Sequence, residues 1–76
     1  MSSDRYAPFD VVSLREGIPE AGLPSGTEAV VLDVYEEPIP AYEVEVVEAG
    51  TGRTLWSGAI DAEGVDLVWS DPAAER

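Results

Sequence analysis

Tyr42-Glu43-Val44-Glu45-Val46-Val47-Glu48 decides the fold. Apolar and acidic residues alternate, so Tyr42, Val44 and Val46 point one way and Glu43, Glu45 and Val47 the other. Successive side chains leave a pleated strand on opposite sides, and this period of two marks a strand with one face on a core and one in water. Tyr42 is therefore expected in the core.

On the C-terminal side, Ala49-Gly50-Thr51-Gly52-Arg53 is a glycine-rich turn, and Thr54-Leu55-Trp56-Ser57-Gly58-Ala59-Ile60 is the next strand, so residues 41–60 form a hairpin. Asp61-Ala62-Glu63-Gly64 turns again, and Val65-Asp66-Leu67-Val68-Trp69 closes the folded part as a short strand. On the N-terminal side, Glu36-Glu37-Pro38-Ile39-Pro40 breaks the chain, since two prolines suit a connection and not a ladder. Thr27 to Tyr35 before it is valine-rich. Strict alternation puts Val30, Leu32 and Val34 on one face and Val31, Asp33 and Tyr35 on the other. Residues 15–26 hold three Gly and two Pro, which excludes a helix interior or a central strand; they read as a structured loop whose Ile18 and Leu23 tuck against the core. Phe9-Asp10-Val11-Val12-Ser13-Leu14 is the first strand.

Five short strands and no helix must curl to bury one face. The expected fold is all-β, a small SH3-like barrel of about five antiparallel strands. It occupies residues 8–69, with flexible tails at 1–7 and 70–76. At 76 residues the chain makes one domain. A domain this small buries only roughly 60% of its unfolded surface, so its stability is expected to be marginal.

The balance of 16 acidic residues against 4 arginines gives a net charge of −12, with no Lys, His or Cys. Disulfides, thiolate or imidazole metal sites, and nucleophilic triads on Ser–His or Cys–His are excluded by composition. Nucleic acid and anionic membrane both need Lys and Arg to meet phosphate, so direct binding to either is not expected. The same field attracts a basic protein and speeds the encounter. A second reading makes the acidity a trait of a salt-adapted or GC-rich organism, where charge supplies solubility alone. No apolar run approaches the roughly 20 residues that span a bilayer, and the N-terminus lacks a signal-peptide core; a cytoplasmic location is expected.

Asp10-Val11-Val12-Ser13-Leu14, Ile18-Pro19-Glu20-Ala21-Gly22-Leu23-Pro24-Ser25-Gly26, Ala29-Val30-Val31-Leu32-Asp33-Val34-Tyr35 and Tyr42-Glu43-Val44-Glu45-Val46 together resemble the DUF4926 family of small bacterial proteins, over roughly residues 8–69. Two positions depart from its pattern: Glu28-Ala29 stands where a Gly-Thr-like pair is common, and Val47 where an acidic residue is frequent. The resemblance implies an SH3-like all-β fold and a bacterial origin, and brings no catalytic residues. Related small proteins are sometimes suspected of neutralising a neighbouring toxin.

Chemistry would have to rest on carboxylates. Glu43 and Glu45 share one strand face, but alternation puts both in water and a small barrel leaves little room for a deep pocket. Asp61, Glu63 and Asp66 look faintly like a calcium loop, but the segment is too short and lacks flanking helices. Gly50-Thr51-Gly52 has no lysine and no helix behind it, so it reads as a hairpin turn. Ser13, Ser25 and Ser57 have no His or Lys to activate them. The expectation is a non-enzymatic module with no cofactor or metal.

Its partner is expected to be a protein, basic in surface, bound as an antitoxin or immunity protein binds its target. Glu36, Glu37, Glu43, Glu45 and Glu48 are expected to form one acidic patch, with Trp56 and Trp69 as aromatic contact candidates. The alternative is an accessory subunit of a larger assembly, held by an apolar edge strand and an exposed Trp.

Overall fold

The computed structural model describes residues 6–70. The expected tails at 1–7 and 70–76 fall mostly outside that span. Tyr6, inside it, stacks on Tyr42 with ring centroids 5.4 Å apart, and its N–H donates to the Tyr42 hydroxyl at 3.1 Å.

The strands are β1 (Val11–Leu14), β2 (Glu28–Tyr35), β3 (Ala41–Val47), β4 (Thr54–Asp61) and β5 (Val65–Trp69). They form one antiparallel sheet in the order β4-β3-β2-β1-β5. Single 3₁₀ turns cover Pro19–Ala21 and Ala62–Gly64.

This order fixes the curvature. The two edge strands are consecutive in sequence, β4 ending at Asp61 and β5 starting at Val65. The edges of a flat five-stranded sheet lie about 19 Å apart, four spacings of ~4.8 Å. The link from Asp61 to Val65 reaches at most ~14 Å when extended, and less as a 3₁₀ turn. The sheet must therefore roll until its edges approach at that end. Among the described residues β4 and β5 do not pair with each other, so the expected barrel is a rolled sheet with an open seam.

The inner face carries Val12, Leu14, Ala29, Val31, Tyr42, Val44, Val46 and Val65, all buried. Trp56, Ile60, Val34, Ile18, Leu23 and Tyr6 close over them. The alternation of β3 appears as expected. Ile18 and Leu23 pair backbone to backbone, N–H to carbonyl in both directions at 2.8 and 3.1 Å, and bring the long loop onto the core. Gly17 makes that fold-back possible: it sits at φ +68, and a Cβ there would stand 2.4 Å from the Leu23 carbonyl oxygen.

The expected faces of β2 are corrected by a bulge. Its pairing with β3 shifts register between Val31 and Asp33, so Leu32 is an extra residue. Ala29 and Val31 point inward before the bulge, and Val34 packs on the core after it. Leu32 is left exposed, and Asp33 and Tyr35 lie on the outer face with Val30.

Candidate functional site

The outer face of the β2–β3 hairpin gathers the acidic groups of the central sheet. Residues 36–40 form a five-residue connection that pairs Tyr35 with Ala41, and the register then sets Asp33 directly opposite Glu43. Directly opposed side chains on one face have Cβ atoms about 5 Å apart, where like charges destabilise. Glu45 follows two residues along the same face of β3, beside Val30 on one neighbour and Ser57 on the other.

These carboxylates meet only neutral donors among the described residues. The Tyr35 hydroxyl lies 3.4 Å from Glu43 Oε1, the Thr54 hydroxyl donates to Glu45, and the Val34 N–H donates to Asp33 Oδ1 at 2.8 Å. The Tyr35 phenol is raised above its ordinary value, first by lost hydration and then by the charges of Glu43 and Asp33. The two described arginines are committed elsewhere. Arg15 grips Asp66 with Nε and Nη2 at 2.9 and 2.7 Å, and Arg53 Nη2 lies 3.6 Å from Glu48 Oε1. The Arg15 pair holds the Asp66 carboxyl below its usual range, through the hydrogen bond first.

The expected single patch is thus divided. Glu43 and Glu45 are half-buried neighbours on the outer face. Glu36 and Glu37 are exposed in the connection at one end of β3. Glu48 lies at the other end, about 24 Å away along a strand rising ~3.4 Å per residue. There it serves the hairpin turn: its carboxylate accepts from the Thr51 hydroxyl at 2.8 Å and pairs with Arg53. Asp33 and Tyr35 complete the group around Glu43. The signal for Asp33 lay in the five-residue loop, whose symmetric pairing of 35 with 41 aligns 33 with 43.

The two tryptophans also separate. Trp56 pairs across from Val46, packs against the core, and lays its ring over Gly58, where a Cβ would meet Cη2 at 2.8 Å. Trp69 is 50% exposed and faces outward opposite Val11 at the edge of the sheet. Leu67 and Val68 beside it are exposed to a similar degree, so β5 is an apolar edge.

The chemistry available is limited. Asp61, Glu63 and Asp66 do not converge, and among the described residues no group of three acidic side chains is placed to hold a metal ion. No helix of the described residues is long and apolar enough to cross a membrane.

The model of a family described as a domain of unknown function, DUF4926, matches residues 9–66, most of the chain, and the chain belongs to that family. No curated protein and no solved structure is found to match it.

Proposed function

We propose that this DUF4926 protein is a non-enzymatic interaction module that binds a basic surface of a partner protein, in the manner of an antitoxin or immunity protein. The observation that carries the reading is the apposition of Asp33 and Glu43 with Glu45 beside them, uncompensated by any described arginine. A sheet face of opposed like charges costs stability when the protein is alone and gains attraction when a cationic surface covers it. The rest of the charge steers the approach. In this reading the protein works in a bacterial cytoplasm and takes no cofactor, nucleic acid or membrane as partner.

The test is capture of proteins from the native cell lysate on the tagged chain, washed at low and high salt, beside a Glu43→Lys/Glu45→Lys variant. A basic protein held by the native chain, lost in high salt and lost to the variant at low salt is the expected result. Equal retention by both chains would remove the outer face from the interaction.

A second reading is favoured by β5. Its outer edge is unpaired among the described residues, and Leu67, Val68 and Trp69 stand about half exposed on it. An accessory subunit docked there is held by apolar contact and strand pairing. Such a partner survives the high-salt wash and is lost with Trp69→Ser.

A further inference from the structure

At the linked end of the seam, beside the Ala62–Gly64 turn, lies a cleft. It has a volume of about 410 Å³, within the ~300–1,000 Å³ range of small-ligand sites. Its walls come from two sides of the rolled sheet: Ala59, Ile60 and Asp61 of β4, and the end of β1 with Leu14, Glu16 and Gly17. Glu63 and Gly64 of the 3₁₀ turn close one end. The floor is aliphatic, from buried Leu14 and half-buried Ile60. The rim carries three carboxylates, Glu16, Asp61 and Glu63, none of which accepts a side-chain hydrogen bond or forms an ion pair among the described residues. Arg15, the nearest described cation, is turned to Asp66 by its bidentate grip and acts on Glu63 only through space.

The chemistry of the rim selects the ligand. A bound metal ion needs oxygens converging to within ~2.6 Å of one point, and these do not form such a group. A guanidinium is planar, spreads five N–H donors around its edge, and sits on a flexible apolar stem. A stem on the aliphatic floor with the head among the rim carboxylates matches the cleft in polarity and charge. Asp61 and Glu63 also line a second cleft of about 280 Å³ with Ile39, Pro40 and Ala62. The two clefts adjoin at Asp61 and Glu63, which line both, and the second adds the apolar Ile39 and Pro40.

We propose that these adjoining clefts are a docking site for an extended segment of the partner protein, which inserts one arginine side chain into the seam cleft and lays an apolar neighbour on Ile39 and Pro40. The assignment rests on the basic-partner reading and names the group recognised, at a site separate from Asp33, Glu43 and Glu45.

The test is amide-resolved NMR titration of the full chain with N-acetyl-arginine N-methylamide at about physiological salt, beside the neutral citrulline analogue of the same size. The expected result is movement of Gly17, Ile60, Asp61, Glu63 and Gly64 signals with the arginine probe and little with citrulline. Binding weakens at least fivefold in Asp61→Asn/Glu63→Gln. Because Asp61 and Glu63 are exposed, that variant keeps the native spectrum. Gly64→Ala supplies a second variant: its methyl would stand 3.2 Å from Ile60 Cγ2, filling the cleft without changing charge, and it weakens binding in the same way. Equal responses to citrulline, unchanged binding in both variants, or shifts spread evenly over the outer face would overturn the site. Loss of the site alone leaves capture of a basic partner through Glu43 and Glu45 intact, whereas failure of that capture with the cleft still binding arginine would sink the partner reading instead.

Discussion

Tyr35 reports on the acidic face one residue at a time. Its phenol loses some hydration on the outer face and has Glu43 and Asp33 as anionic neighbours, and all of these disfavour the phenolate. A group whose folded pKa lies above its unfolded value of about 10 favours the folded state while it is protonated. That contribution is fully present below about pH 10 and is lost as pH rises through the folded value. Glu43→Gln removes one charge and the hydrogen-bond acceptor at once. It is expected to move the Tyr35 titration down toward ~10 without reaching it, since lost hydration and Asp33 remain. Phenolate absorbance, with Tyr35→Phe subtracted to isolate this residue from Tyr6 and Tyr42, measures the shift. An unmoved midpoint would mean that Glu43 and Tyr35 do not face each other in solution. Asp66 runs with the opposite sign: its folded pKa is depressed, so the Arg15 pair supports the fold above about pH 4 and fades as pH falls through the lowered value.

At the scale of the elements, β4 and β5 each carry a tryptophan, and the two have opposite duties. Trp56 caps the core over Gly58, a glycine that leaves room for the ring. Trp56→Ala uncovers Val46 and its neighbours and is expected to destabilise by at least about 2 kcal/mol, toward the low end for aromatic truncation because the ring is half-buried. Trp69→Ala removes an exposed side chain and is expected to cost under ~1 kcal/mol. Denaturant midpoints of the two variants check the pair, and equal losses would refute the assignment. The elements themselves were legible from periodicity. β3 alternates without interruption, and the 36–40 and 61–64 breaks carry the prolines and glycine that end strands. The faces of β2 were not legible, because Ala29-Val30-Val31-Leu32 is apolar on both sides and the bulge at Leu32 leaves no mark in composition. The choice between Trp56 and Trp69 was equally hidden. Leu55 and Trp56 are both apolar, and the register that sets Trp56 opposite the buried Val46 decides which is covered. The split between Glu48 and the other glutamates needed the hairpin turn, where Thr51 and Arg53 claim it. The seam cleft needed closure of the whole sheet, since Glu16 and Asp61 meet only through tertiary structure.

For the whole molecule, the quantity that matters is charge on a small body. The Cα radius of gyration is 12.0 Å and the net charge −12. At about 0.01 M salt the Debye length is ~30 Å, so nearly every carboxylate feels every other; at about 0.15 M it is ~8 Å, and only neighbours such as Asp33 and Glu43 still interact. Two like charges ~10 Å apart in water repel by about 0.4 kcal/mol, and unfolding relieves many such pairs together. Stability is therefore expected to rise by about 1 kcal/mol or more over this salt range, read from denaturant midpoints at fixed pH. Association with a basic partner has the opposite dependence, because screening removes the attraction that steers the encounter. Its on-rate is expected to fall roughly tenfold or more over the same range. The two slopes test different things. A stability that ignores salt would mean that the unfolded chain is as strongly repelled as the folded one. A salt-independent on-rate, with stability still rising, would mean that the charge shapes the fold's energy and not its partnerships. The edge of β5, with Leu67 and Trp69, would then be the surface through which this protein acts.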